Sequence, residues 1–255
     1  MCGFCGEIRF DDVPPDLGAI GAMNATMAPR GPDGHGLWQQ GRLALGHRRL
    51  SIIDLSTHAS QPMIDSALGL SVAFNGCIYN YKELRAELEQ QGYQFFSHGD
   101  TEVVLKAFHA WGGECVQRFY GMFAFAVAER DTGRLTLVRD RLGIKPLYYA
   151  DVPGGMRFAS SLPALLAGGG VDRDIDPVAL HHYMHFHAVV PAPHTILRGV
   201  RKLPAATIRV VEPDGSSRER LYWEPRFETP AEERGLSFVD WQDLVLDVLR
   251  RSVER

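Results

Sequence analysis

The chain has 255 residues, of which 45% are hydrophobic and 23% charged, and a net charge of −4. That composition suits a globular protein with a sizeable core and excludes a disordered tail, a coiled coil and a collagen-like chain. It offers no polybasic surface for nucleic acid or anionic lipid, and the longest apolar run, residues 122–128, falls far short of the roughly 20 residues of a membrane span.

Residues 4–10 alternate loosely and predict a strand. Leu17, Ile20, Met23 and Met27 recur at helical spacing, so residues 16–28 predict a helix, ended by the turn Arg30-Gly31-Pro32-Asp33-Gly34. Residues 43–55 and 68–74 predict strands, the second closed by Asn75-Gly76. Residues 81–91 predict a helix with Leu84 and Leu88 on one face and Gly92 as its stop; residues 101–111 predict another, with Asp100 as N-cap. Residues 123–128 and 134–138 flank Asp131-Thr132-Gly133, and residues 147–150 and 156–159 flank Pro153-Gly154-Gly155, two hairpin signals. Asp176-Pro177 opens a helix to about His185, and residues 195–211 predict strand, turn and strand around Leu203-Pro204. The pattern predicts an α+β domain of antiparallel sheets covered by helices over residues 1–211. Residues 212–236, polar and rich in Pro, Glu and Arg, predict a linker. Residues 237–255 predict a helix with Ser237 as its cap and an apolar stripe of Phe238, Trp241, Leu244, Val245, Val248 and Leu249.

The first residues carry no basic start and no long apolar run, so the expected location is a reducing cytoplasm. Cysteines stand at Cys2, Cys5, Cys77 and Cys115. If Met1 is removed, Cys2 presents a thiol and a free α-amine on one residue. In model compounds the amine titrates at about 7.7–8.0, so part of it is neutral near neutral pH and can take the thiol proton without a separate histidine. Cys2 and Cys5 also match half of a redox or zinc motif, but further ligands at similar spacing are missing. Asn75-Gly76 can supply a side-chain amide and a backbone N–H to an oxyanion, or can simply be a type I′ turn. Arg49 and Asp100 are candidates for the carboxylate and amine of a free amino acid, or a surface charge and a cap. His181 and His185 sit at a spacing two metal ligands could share, but no acidic partner completes a motif there, and packing of imidazoles at a helix end is the reading preferred.

The motifs occur together in a recognisable order. Met1-Cys2-Gly3, Arg30-Gly31-Pro32-Asp33, His47-Arg48-Arg49-Leu50-Ser51-Ile52, Phe74-Asn75-Gly76-Cys77-Ile78-Tyr79-Asn80 and Gly99-Asp100-Thr101-Glu102 are followed by Gly121-Met122-Phe123-Ala124-Phe125 and the run from Arg139 to Tyr148. This order resembles the glutaminase half of the glutamine-hydrolysing asparagine synthetase family, the class II glutamine amidotransferases, over about residues 1–225. The resemblance implies an N-terminal nucleophile (Ntn) hydrolase fold, a four-layer αββα sandwich with two stacked antiparallel sheets. It implies that Cys2 attacks the side-chain amide of glutamine, forms a thioester and releases ammonia. Asn75 and Gly76 would form the oxyanion hole, Arg49 would bind the α-carboxylate and Asp100 the α-amine. It also implies that the Arg-Gly-Pro-Asp turn and the run from Arg139 to Tyr148 support the pocket and the exit for ammonia.

The family commonly has glutamate after the Asn-Gly pair, where this chain has Cys77. Such proteins continue into a synthetase domain with a Ser-Gly-Gly-x-Asp-Ser loop, and these residues contain none, so 237–255 resembles the first helix of a missing domain. ATP and Mg are expected there, whereas no metal or cofactor is expected in this chain. The wording around Cys77 and from His181 to Pro193 is similar to one subgroup, the N-acetylglutaminylglutamine amidotransferases. A homodimer is a further expectation, through the face a missing domain would leave exposed. Competing readings are an N-terminal cysteine amidase acting on another amide, and a non-catalytic docking module of the same fold.

Overall fold

A computed structural model of the chain describes residues 1–254. In chain order the elements are β1 (Gly3–Arg9), α1 (Leu17–Thr26), β2 (Gly34–Gln40), β3 (Leu43–Arg49), β4 (Met63–Asp65), β5 (Leu70–Ile78), α2 (Tyr81–Gln90), α3 (Asp100–Trp111), α4 (Cys115–Arg118), β6 (Gly121–Glu129) and β7 (Leu135–Arg139). They continue with β8 (Tyr148–Val152), β9 (Gly155–Ala159), α5 (Leu162–Gly168), α6 (Pro177–His185), β10 (Arg201–Lys202), β11 (Thr207–Val211), β12 (Ser217–Leu221) and α7 (Phe238–Glu254).

The strands form two antiparallel sheets of six, in the orders β10-β8-β9-β1-β3-β2 and β12-β11-β7-β6-β5-β4. Their inner faces share one core that draws Phe4 and Ile8 from β1, Leu45 from β3, Phe158 from β9, Ala73 from β5 and Leu137 from β7. On the outer face of the first sheet, Ile20, Met23 and Met27 meet Ala164 and Leu165 of α5. α3 covers β5 on the second sheet. The result is a four-layer αββα sandwich.

β6 shows how sequence sets this spacing. Its alternation places Ala124, Ala126 and Ala128 in the core between the sheets, where small side chains allow close approach. Phe123 and Phe125 turn the other way and meet Phe119 edge-on, with ring centroids 5.6 and 6.4 Å away. Gly6 serves the same closeness, since a Cβ there would lie 2.2 Å from the Phe158 ring. Chain entry into α1 is set by Asp16, whose side chain accepts from the Ala19 amide, and into α6 by Asp176, followed by Pro177.

Several expectations need correction. The strand expected over 43–55 ends at Arg49, and a separate β2 precedes it. The expected break at Asn75-Gly76 is absent: both residues lie inside β5, which continues to Ile78 because β6 pairs with it along that whole length. Gly99, not Asp100, caps α3. The polar stretch 212–236 is not all linker, since β12 extends the second sheet by pairing with β11 from Thr207↔Leu221 to Val211↔Ser217. Its Ser-Arg-Glu-Arg-Leu sequence is exposed throughout, as suits an edge strand, and that polarity is why composition reads as linker.

The chain divides into two compact units, Met1–Tyr222 and a second beginning at Trp223. Within the second, Ser237 and Asp240 bond reciprocally at the start of α7, and α7 buries none of its described residues. No helix among the described residues is long and apolar enough to cross a membrane.

Candidate active site

β1 begins at Gly3, opposite Arg48, so Cys2 lies beside the end of β3. Its Sγ accepts from the Leu50 amide at 3.3 Å and lies 3.6 Å from the Leu50 carbonyl oxygen. Arg30 Nε donates to the Cys2 carbonyl at 3.2 Å, and Asp33 Oδ2 accepts from the Ser51 amide at 2.8 Å. The turn that carries both residues presses on β3, where a Cβ at Gly31 would lie 2.4 Å from the Arg48 carbonyl carbon.

Arg49 reaches into the loop that follows β3. Its guanidinium donates to the carbonyls of Ser56, at 2.8 Å, and Asp54. An arginine has five N–H donors, so others remain for a ligand. The Asp54 carboxylate accepts from the Ser56 amide and, at 2.8 Å, from the His98 amide. Burial opposes ionisation there, but these bonds prevail and bring the carboxyl down to about 2. Asp54 thereby ties the Arg49 loop to the segment leading into α3.

Asn75 is 1% exposed and its Nδ2 has no hydrogen-bond partner. An orphaned buried amide is costly and marks a site that something else completes. The neighbouring backbone follows from the ladder. The Phe74 amide bonds Gln61 Oε1 at 2.7 Å and the Ile78 amide bonds Asp100 Oδ2 at 3.0 Å, both away from β6. Alternate residues of a strand turn the same way, so the Gly76 N–H faces that open edge too. Glycine is required there, because a Cβ would lie 2.4 Å from the Met122 carbonyl oxygen. Behind the edge, buried His47 bonds the Phe74 carbonyl through Nε2 at 3.0 Å and pins one sheet to the other. Burial holds this imidazole down to about 4, hence neutral, with Nε2 as the donor.

Asp100 is 6% exposed, and among the described residues no cationic nitrogen lies within 4 Å of it. Burial pushes its carboxyl up to about 6, against the pull of the Ile78 amide. Cys2, Asn75, Gly76, Arg49 and Asp100 line one cleft of about 210 Å³ together with Lys145. That volume is below the roughly 300–1,000 Å³ of pockets for drug-sized ligands and suits a molecule the size of an amino acid.

The structure therefore brings all five sequence-predicted site residues together. Sequence reasoning missed Lys145 as an individual residue, His47 as the pin between sheets, and Gln61, which bridges the Phe74 amide and Thr101. Burial pushes Cys5 up to about 12 and raises Cys115 also, while Cys77 is half-buried in the cleft wall. The His181 and His185 rings lie 4.0 Å apart, but among the described residues no group of three or more His, Cys, Asp or Glu is placed to hold a metal ion.

Residues 1–223 match the glutamine amidotransferase domain family. The chain belongs to this family. The chain is 34% identical over 250 residues to asparagine synthetase [glutamine-hydrolyzing] 1 of Bacillus subtilis strain 168, covering 97% of this chain and 39% of that protein. It is 40% identical over 223 residues to a putative asparagine synthetase [glutamine-hydrolyzing] of Mycobacterium bovis, covering 82% and 34%. The chain thus spans little more than a third of these relatives. In fold it is similar to a glutamine phosphoribosylpyrophosphate amidotransferase from B. subtilis, with a TM-score of 0.65 at 18% identity, covering 88% of this chain and 50% of that one. The four-layer sandwich of this amidotransferase domain is the Ntn hydrolase fold.

Proposed function

We propose that the domain hydrolyses glutamine to glutamate and ammonia through Cys2, exposed as the N-terminal residue once Met1 is removed. The observation that carries this reading is one cleft holding the Cys2 thiol, a buried side-chain amide whose Nδ2 has no partner, and a buried carboxylate with no cation within 4 Å among the described residues. Glutamine enters with its α-ammonium toward Asp100 and its α-carboxylate toward the free donors of Arg49. The Cys2 thiol gives its proton to the α-amine as Sγ bonds the amide carbon. Negative charge that develops on the carbonyl oxygen meets Asn75 Nδ2 and the Gly76 N–H, two donors fixed before the reaction begins. The amine returns the proton to the departing nitrogen, ammonia leaves, and water then cleaves the thioester to glutamate.

The ammonia serves an amide-forming synthetase domain that uses ATP and Mg. The names of the relatives and the length by which they exceed this chain support that reading. The similarity around Cys77 and from His181 to Pro193 points to an N-acetylated glutaminylglutamine as acceptor. The test is glutamine hydrolysis by the protein and its Cys2→Ala variant. Turnover and a trapped γ-glutamyl thioester are expected only where Cys2 is present, and full activity of the variant overturns the mechanism.

A further inference from the structure

Lys145 is 5% exposed and stands in the cleft wall. Lysine is almost never buried without a partner. Yet the polar contact of its ammonium is a thioether, Met1 Sδ at 3.4 Å, and among the described residues no carboxylate lies within 4 Å of it. The charged and titratable groups around it are each engaged elsewhere or weakly placed to neutralise it. Asp140 spends its carboxylate on four main-chain amides, those of Phe123, Leu142, Ile144 and Lys145. Arg139 adds a second cation, donating to the Lys145 carbonyl, and Arg30 a third, donating to that of Cys2. Burial raises the Cys77 thiol from its ordinary value, which leaves it uncharged near neutral pH. Asp100, on the cleft wall from α3, is the carboxylate that an entering α-ammonium would neutralise. Arg49 completes the set and is bonded to its own loop.

The contact with Met1 gives the position of this charge its meaning. Met1 Sδ is five covalent bonds from the Cys2 nitrogen, so Nζ stands within about 10 Å of that nitrogen. When Met1 is cleaved, the lysine loses its thioether neighbour and the Cys2 nitrogen becomes an α-amine. We infer that Lys145 is a positioning residue whose unpaired ammonium holds the Cys2 α-amine in its neutral, proton-accepting form. This rests on the reading of Cys2 as the N-terminal nucleophile. A like charge about 10 Å away, at an effective dielectric near 20, lowers the pH at which the amine protonates by about one unit. The lysine acts before substrate binds and touches neither the scissile amide nor the oxyanion.

The test is the pH profile of kcat/KM for glutamine in the protein, in Lys145→Met and in Lys145→Arg, with the N-terminal peptide of each identified by mass. The acidic limb of Lys145→Met is expected about one pH unit higher, so activity at pH 6.5 falls about tenfold while the alkaline plateau is kept. Lys145→Arg is expected to restore the limb. A Lys145→Met profile that superimposes on the parent, or a loss equal at every pH, overturns the inference while leaving Cys2 in place. An active protein whose N-terminal peptide still begins at Met1 overturns both readings. Labelling of Cys2 at high pH in all three proteins reports that the cleft is folded whatever the profile shows.

Discussion

Asp100→Asn separates the binding role of this carboxylate from its effect on stability, because the two move in opposite directions. A carboxyl held at about 6 in the folded chain and at about 3.9 when unfolded is harder to ionise in the native state. The unfolded chain releases its proton first, so native stability falls as pH rises through this window and levels off above pH 6. The penalty is about 3 kcal/mol at pH 7 and well under 1 kcal/mol at pH 4. Asparagine removes the charge and keeps an oxygen for the Ile78 amide, whose pull on the charged form is already contained in that shift. The variant should therefore be about 3 kcal/mol more stable than the parent at pH 7, with the gain shrinking to well under 1 kcal/mol at pH 4. Its kcat/KM for glutamine should nonetheless fall by about two orders of magnitude, through KM, because the α-ammonium loses its counter-charge. Urea unfolding at both pH values and steady-state kinetics at pH 7.5 measure the two effects. A variant that is less stable at pH 7, or whose gain is the same at pH 4, refutes the account of Asp100 as an unpaired buried carboxylate.

Other substitutions probe the rest of the cleft. Asn75→Ala should lower kcat by about 10²–10³ with little change in KM, while Cys2 remains open to alkylation; a pure KM effect would contradict an oxyanion role. Gly76→Ala forces a Cβ against the Met122 carbonyl oxygen and the Phe123 Cα, and should cost about 1–3 kcal/mol in thermal unfolding as well as activity. His47, held down to about 4, contributes stability above its unfolded value that is lost as pH falls. The parent should thus lose about 2 kcal/mol from this residue between pH 7.5 and pH 5, and His47→Leu, less stable at pH 7.5, should show a flatter acid limb in thermal melts.

The sequence showed the layers of the fold most clearly where one face is buried and one period dominates. The Phe/Ala alternation of β6 and the spacing of α1 are local signals of this kind. β2 and β12 escaped notice because their side chains are largely polar and exposed, so pairing with a neighbour, not burial, defines them. Asn75-Gly76 is ambiguous by itself, since the same pair that closes a hairpin also permits a strand to pass close beside β6. Only the partner strand decides between them. Cys2, Arg49 and Asp100 were legible through the order of the motifs, but their juxtaposition is a product of tertiary structure. Lys145 lay within a recognised segment, yet nothing local distinguishes a buried, unpaired lysine from one in solvent. His47 and Gln61 act across more than ten residues of sequence, His47 from one sheet to the other.

The most direct test is the mass of the N-terminal peptide after the protein reacts with a glutamine-analogue electrophile. The account predicts a peptide that begins at Cys2, carries the adduct on Sγ, and is protected by excess glutamine. A peptide that still begins at Met1 in an active protein, or an adduct on another residue, would contradict it.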